Sequence, residues 1–232
     1  MEYCICLITI FVAIVLLSIV FKINLKKAKK FEVNNELGKV TDKFPDNIII
    51  AKTILKQLNN ENVEIEQQKD TKTSLYIALT NKITIADMKS HYGRIQTIAH
   101  ECVHSIQDRR LLLFNFFFSN FFLLYFIVIS MLTIFKVVNN GILQMFILLL
   151  IGFIQFMVRG YLETDAMTRA KYVAKEYMEK EQKCTKEEIE KLTNEYDEIN
   201  KIGIPIVLNS LVISILGKIG VYSVLLIIIM SL

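Results

Sequence analysis

Four apolar stretches alternate with polar ones along the 232 residues. The first, residues 3–21, is nearly uninterrupted and long enough to cross a bilayer, and Lys22, Lys26, Lys27, Lys29 and Lys30 follow it directly. A cleaved signal peptide carries its basic residues before the apolar run, so the reversed order predicts a retained signal anchor. Residues 111–135, rich in Phe, form a second span and residues 142–158 a third, with so short a link that a transmembrane hairpin is expected. Residues 204–232 are apolar apart from Asn209 and Lys218. At about 1.5 Å per residue a helix of this length exceeds the roughly 30 Å hydrocarbon core, so it must tilt, kink or break. Gly217-Lys218-Ile219-Gly220 is the expected weak point; each half alone is too short to span, which favours one bent span.

The polar segments carry their own periodicity. In residues 22–110, Ile49, Ile50, Ile54, Leu55 and Leu58 recur at helical spacing within 47–59, with Asp46 after Pro45 as N-cap. Short strands are predicted at 63–66, 74–79 and 83–86, and a second helix from near Asp87 to about Arg110. Residues 159–203 read as helical, with Glu187, Glu188, Glu190, Lys191, Glu195 and Lys201 as a solvated surface. Five segments result: an anchor (1–21), a polar portion (22–110), a hairpin (111–158), a polar helical portion (159–203) and a last membrane segment (204–232).

Composition agrees with this division. At 53% hydrophobic residues, with no Trp and two Pro, the chain is too apolar for one soluble domain and reads as an integral membrane protein. Sixteen of its 27 Lys and Arg fall in 22–110 and nine in 159–201, so the positive-inside rule places both polar portions in the cytoplasm and both termini outside. The net charge of +4 is small and spread out, which gives no basis for a nucleic-acid partner. Cys4, Cys6, Cys102 and Cys184 form neither a disulfide framework nor a metal knuckle and suit a reducing compartment.

Candidate chemistry centres on His100-Glu101-Cys102-Val103-His104, an HExxH motif that uses two of only three histidines. Residues four apart share one helix face, so both imidazoles can bind one zinc, while Glu101 is placed to take a proton from the attacking water. A catalytic zinc needs a third protein ligand. Arg110 and Gln107 stand where the extended metzincin pattern requires histidine and glycine, which excludes that class. His91, nine residues before His100, points away on a continuous helix. Asp108 shares the motif face one turn further on and suits a hydrogen bond to a ligand better than ligation. Glu163 is the best candidate, because the hairpin returns it to the membrane face at which the motif helix ends.

His100-Glu101-Cys102-Val103-His104-Ser105-Ile106-Gln107-Asp108 resembles the HEVGHAIQ-type segment of the YugP-like neutral zinc metallopeptidases, and Glu163-Thr164-Asp165-Ala166-Met167-Thr168-Arg169-Ala170 resembles their EFDASRRA-type segment. Only these two segments match residue by residue. Val103 stands where the family has glycine and Thr168 where it has arginine. The resemblance implies a gluzincin-like, membrane-embedded metallopeptidase, related in plan to HtpX-like proteases, with Glu163 as third ligand and Arg169 in any role that pairs with a carboxylate or substrate.

The expected fold is a predominantly α membrane protein: about four transmembrane helices and a small zincin-like α+β cytoplasmic portion bearing the motif helix. The expected function is a zinc metalloendopeptidase of the cell membrane, cutting membrane or membrane-associated proteins at the cytoplasmic face. Zn²⁺ is held by His100, His104 and Glu163, and Glu101 is the catalytic base. Asp108, Asp165, Arg169 and Tyr92 are candidates for supporting hydrogen bonds or transition-state contacts; His91 and Tyr161 are further candidates for the oxyanion. An intramembrane protease of the site-2 type is disfavoured, since polar residues flank the motif and no aspartate lies in a later span. The alternative is a catalytically inactive zinc-binding scaffold or adaptor.

Overall fold

Inside a bilayer every backbone N–H and C=O must be bonded within the protein, so apolar runs of spanning length fold as helices. The structure, a computed structural model, describes residues 2–20, 34–68, 73–87 and 91–231. The basic run Lys22–Lys30 and residues 88–90 of the predicted motif helix lie outside the described residues. The elements are α1 (Glu2–Val20), α2 (Asn35–Thr41), α3 (Asn47–Gln57), β1 (Glu64–Gln68), β2 (Leu75–Ile77), β3 (Lys82–Ala86), α4 (Arg94–Ile106), α5 (Arg109–Ile134), α6 (Gly141–Glu181) and α7 (Lys186–Ser231). Among the described residues, α1, α5, α6 and α7 are long and apolar enough to cross a membrane. The chain forms two compact units: residues 1–23, 114–161 and 205–232 in one, and 24–113 with 162–204 in the other.

The first unit holds the apolar helical stretches. The 41 residues of α6 would extend about 60 Å, twice the hydrocarbon thickness, so only its apolar part, 142–158, is read as a span. Phe122, Met145, Leu148, Ile215, Ile219, Tyr222 and Leu226 pack together, while Phe117, Phe121 and Leu124 face outward. Polar side chains in this apolar setting pair across helices: Tyr125 Oη donates to Gln144 Oε1 at 2.5 Å, and Gln155 Nε2 donates to Ser119 Oγ at 3.0 Å. α7 runs unbroken through Gly217–Gly220, so the expected weak point is ordinary helix, and Pro205 lies inside the same helix. Lys218 Nζ donates to Ser214 Oγ at 3.0 Å and stands 4.9 Å from the Phe122 ring centroid, a cation–π contact that offsets part of its desolvation.

The second unit is α+β. Its sheet has the order β1-β3-β2, with β1 parallel to β3 and β2 antiparallel to it as an edge strand. β3 is central and nearly wholly buried; β1 alternates between exposed and half-buried positions, as a strand with one solvated face does. α4 is amphipathic and packs on α3, β2 and β3 through Ile95, Ile98, Ala99 and Cys102. Ala170, Ala174 and Tyr177 of α6 and Leu192 and Tyr196 of α7 enter the same core. The two polar portions, separated in the chain by the apolar hairpin, therefore share one hydrophobic interior.

Several boundaries differ from those the periodicity predicts. The motif helix begins at Arg94, after a turn at Tyr92-Gly93, and stops at Ile106 instead of continuing to Arg110. Gln107 leaves the helix with extended backbone (φ −69°, ψ 164°), and Asp108 starts the next one, its Oδ1 accepting from Arg110 N at 2.8 Å. A face count cannot see such a break. α2, capped by Asn34, is an element the periodicity does not announce. Asp46 occupies the N-cap position of α3 without a side-chain cap bond.

Candidate metal centre

The first residue of α4 fixes where the motif helix sits. Arg94 is buried, and its guanidinium donates to the carbonyls of Thr41, Phe44 and Pro45 and to Asn47 Oδ1 at 2.6–3.0 Å. One side chain thus ties the α2–α3 connection to the start of α4. In the same first turn, Gln96 Nε2 donates to Asn200 Oδ1 (2.8 Å), and Asn200 Nδ2 to the Met167 carbonyl (2.9 Å), which links α4 to α7 and α6. Near its end, Asn60 Nδ2 donates to the Ser105 carbonyl at 3.0 Å.

Held in this way, α4 presents both motif imidazoles to α6. His100 Nε2 and His104 Nε2 lie 3.0 Å apart, with the rings perpendicular. Glu163 Oε2 is 3.6 Å from the first and 3.8 Å from the second. Around a tetrahedral ion at about 2.0–2.1 Å from each donor, neighbouring donors stand about 3.3 Å apart, so shifts of a few tenths of an ångström would seat one. Two imidazoles and one carboxylate, with a fourth position left over, is the donor set of many catalytic zinc sites. Among the described residues this is the group of histidine and carboxylate donors that could hold a metal ion.

The titrating groups influence one another. Burial opposes ionisation of Glu163, but the close approach of His100 and His104 outweighs it and holds this carboxyl well below the usual range. Burial likewise disfavours His104 as imidazolium, yet the Glu163 and Glu101 carboxylates outweigh it and push the imidazole up. Glu101 differs. Only 6% exposed, its carboxyl is pushed up by burial, more than the neighbouring imidazoles and the Tyr76 N–H pull it down. Glu101 Oε2 accepts from that N–H, on edge strand β2, at 2.7 Å. No family model, curated protein or solved structure matches the chain.

The remaining candidates separate clearly. Asp165 Oδ2 accepts from Gln107 Nε2 at 2.8 Å and pairs with Arg169 at 3.4 Å, so these two residues connect to the site through Gln107. Asp108 does not lie on the motif face; α4 ends before it, and its carboxylate caps α5. Tyr92 is 1% exposed in the core, where its carbonyl accepts from Tyr196 Oη, so its ring is not presented to a substrate; burial pushes its phenol up to about 12. His91 Nδ1 accepts from Gly93 N at 3.0 Å in the turn before α4. Tyr161 is exposed, and Val103 is wholly buried. Cys102 is buried and its thiol is pushed up by burial, which leaves it no nucleophilic role.

Two participants were not singled out from sequence. Tyr76 contributes a backbone N–H, to which composition and spacing are blind. Gln107 does have a signal: it stands three residues after His104, at the last position of the motif-like segment before Asp108.

Proposed function

We propose that this chain is a zinc-dependent, membrane-embedded metallopeptidase of the YugP-like, gluzincin type, acting on membrane or membrane-associated proteins at the cytoplasmic face. The observation that carries the reading is the approach of His100, His104 and Glu163 to one point. Around it stand the HExxH spacing, the later Glu-x-Asp segment, the α+β unit bearing the motif helix, and the lysine and arginine bias toward the two polar portions.

Bound zinc would supply a Lewis acid that polarises the scissile carbonyl and makes water acidic enough to attack near neutral pH. The chain's own residues supply the rest. His100, His104 and Glu163 offer three ligand atoms from one side, leaving the other for water and substrate. Glu101 adjoins the first ligand, and its raised affinity for protons suits a group that accepts one from the attacking water and returns it to the leaving amine. Moving toward the reacting centre would require it to leave the Tyr76 N–H.

The test uses purified full-length protein in detergent or lipid, assayed for metal content and for cleavage of a denatured protein. Glu101→Gln should keep zinc and lose cleavage by about 10²–10⁴-fold. Glu163→Ala should lose zinc. Zinc bound at full occupancy in Glu163→Ala would overturn the ligand set, and wild type that binds zinc yet cleaves nothing would favour the scaffold.

A further inference from the structure

The Gln107 side chain links the metal-binding face of α4 to a carboxylate that touches no ligand. Its Nε2 lies 2.9 Å from the Leu162 carbonyl and 2.8 Å from Asp165 Oδ2. Both neighbours are acceptors, and an ionised carboxylate has no proton to give, so this end of the amide must be the NH₂. The opposite end is then the carbonyl, and Gln107 Oε1 lies 2.8 Å from His104 Nδ1. A carbonyl can only accept. In its neutral form His104 must therefore carry its proton on Nδ1, which leaves the Nε2 lone pair facing His100 and Glu163.

We propose that Gln107, oriented by Asp165, is a positioning residue that locks His104 in its Nδ1–H tautomer and thereby presents Nε2 as a ready metal ligand. The inference rests on the metal-centre reading for its purpose, though not for its geometry. A ligand histidine generally needs a partner for its second nitrogen, since that bond sets ring orientation and tautomer. Here the partner is an amide, which could rotate by half a turn and offer NH₂ instead of oxygen. Asp165 removes that freedom, because the flipped amide would set its oxygen against two acceptors. Arg169 Nη1, 3.4 Å from the same Asp165 oxygen, helps to keep this carboxylate in place. Glu163 and Asp165 lie about 160° apart around α6, yet both act on His104, one directly and one through Gln107. The break after Ile106 makes this reach available, since Gln107 is the residue that turns out of α4.

The chain has three histidines, so selective ¹⁵N-imidazole labelling of the full-length protein gives three assignable rings. In metal-free wild type, at a pH where the rings are neutral, His104 should show a protonated Nδ1 and a bare Nε2. Gln107→Leu should return His104 to a mixture of tautomers and weaken Zn²⁺ binding about 10–100-fold in a competition titration. Asp165→Asn, a milder change that guards against misfolding, should give an intermediate effect on both readouts. Gln107→Glu should bind zinc poorly beside the Asp165 carboxylate, and adding Asp165→Asn, which restores a donor to residue 107, should recover part of the affinity. An unchanged His104 tautomer in Gln107→Leu would overturn the inference, as would unchanged zinc affinity. Wild type that bound no zinc would overturn the metal-centre reading, while the tautomer measurement would still decide the role of Gln107.

Discussion

Glu101 and Glu163 are carboxylates serving one small site, and their surroundings drive them in opposite directions. Glu101 has a backbone N–H for company and little solvent, so burial dominates and it holds a proton more tightly than an exposed glutamate. Glu163 faces two imidazoles, which overcome the same burial effect and keep it ionised. One is suited to moving protons and the other to holding a cation. His104 titrates above its ordinary value of 6.5 because two carboxylates stabilise its charge. In metal-free protein this interaction contributes stability that is fully present below the unfolded value and is lost as pH rises through the raised one. The Glu163 contribution is present above its unfolded value of 4.5 and is lost as pH falls through the depressed one. Thermal unfolding of the metal-free protein against pH should therefore show the contribution of the His104–Glu163 pair greatest between these limits, with the raised Glu101 removing stability as pH climbs above its unfolded value. Zinc competes with the His104 proton, so its affinity should keep rising with pH beyond about 6.5, as followed by titration at several pH values. Affinity that levels off below that point would contradict the pairing of His104 with Glu163.

At the scale of elements, α4 works because it is anchored at both ends. Arg94 holds its first turn to the carbonyls of the α2–α3 connection, Gln96 and Asn200 hold the same turn to α6 and α7, and Asn60 holds its end. Arg94→Met would keep much of the packing volume but leave buried carbonyls without donors, at a cost of roughly 3 kcal/mol. Thermal unfolding should record that loss, with zinc affinity falling as α4 loosens. A loss below about 0.5 kcal/mol would mean that water replaces the guanidinium. The ends of this helix were the least legible feature of the chain. The apolar and polar spacing around the motif continues smoothly from α4 toward α5, so periodicity reads one helix. Asp108 turns the break into a new start by capping α5, and its side chain looks the same in sequence whether it caps a helix or flanks a metal.

For the molecule as a whole, the three candidate donors come from two stretches of chain that the 114–161 segment separates, yet they belong to one compact unit. Ile98 and Cys102 of α4 share a core with Ala170, Ala174 and Tyr177 of α6, so the packing that folds the unit also brings Glu163 to the histidines. A fragment ending at Arg110 would expose the α4 face that these residues cover, and circular dichroism should find it without stable tertiary structure. A metal bound across α4 and α6 would bind the folded protein and not the unfolded one. Saturating zinc at about 1,000 times its Kd should therefore add about 4 kcal/mol, and chelation should remove it, read as a shift in Tm. Glu163→Ala should show no such shift.

The apolar runs, the HExxH spacing and the later Glu-x-Asp segment can be read directly from the chain, because hydrophobic length and side-chain period are local properties. Those features determined that four helices could cross a membrane and that His100, Glu101 and His104 would share one helical turn. Tertiary structure decided the rest. It ended α4 at Ile106, buried the Tyr92 ring in the core, sent Asp108 to cap α5, and brought Glu163 within 3.8 Å of both imidazoles. It also turned Gln107 between His104 and Asp165. These outcomes depend on which side chain, carbonyl or helix end arrives from a distant part of the chain to complete a hydrogen bond or fill a space, and no local pattern records that.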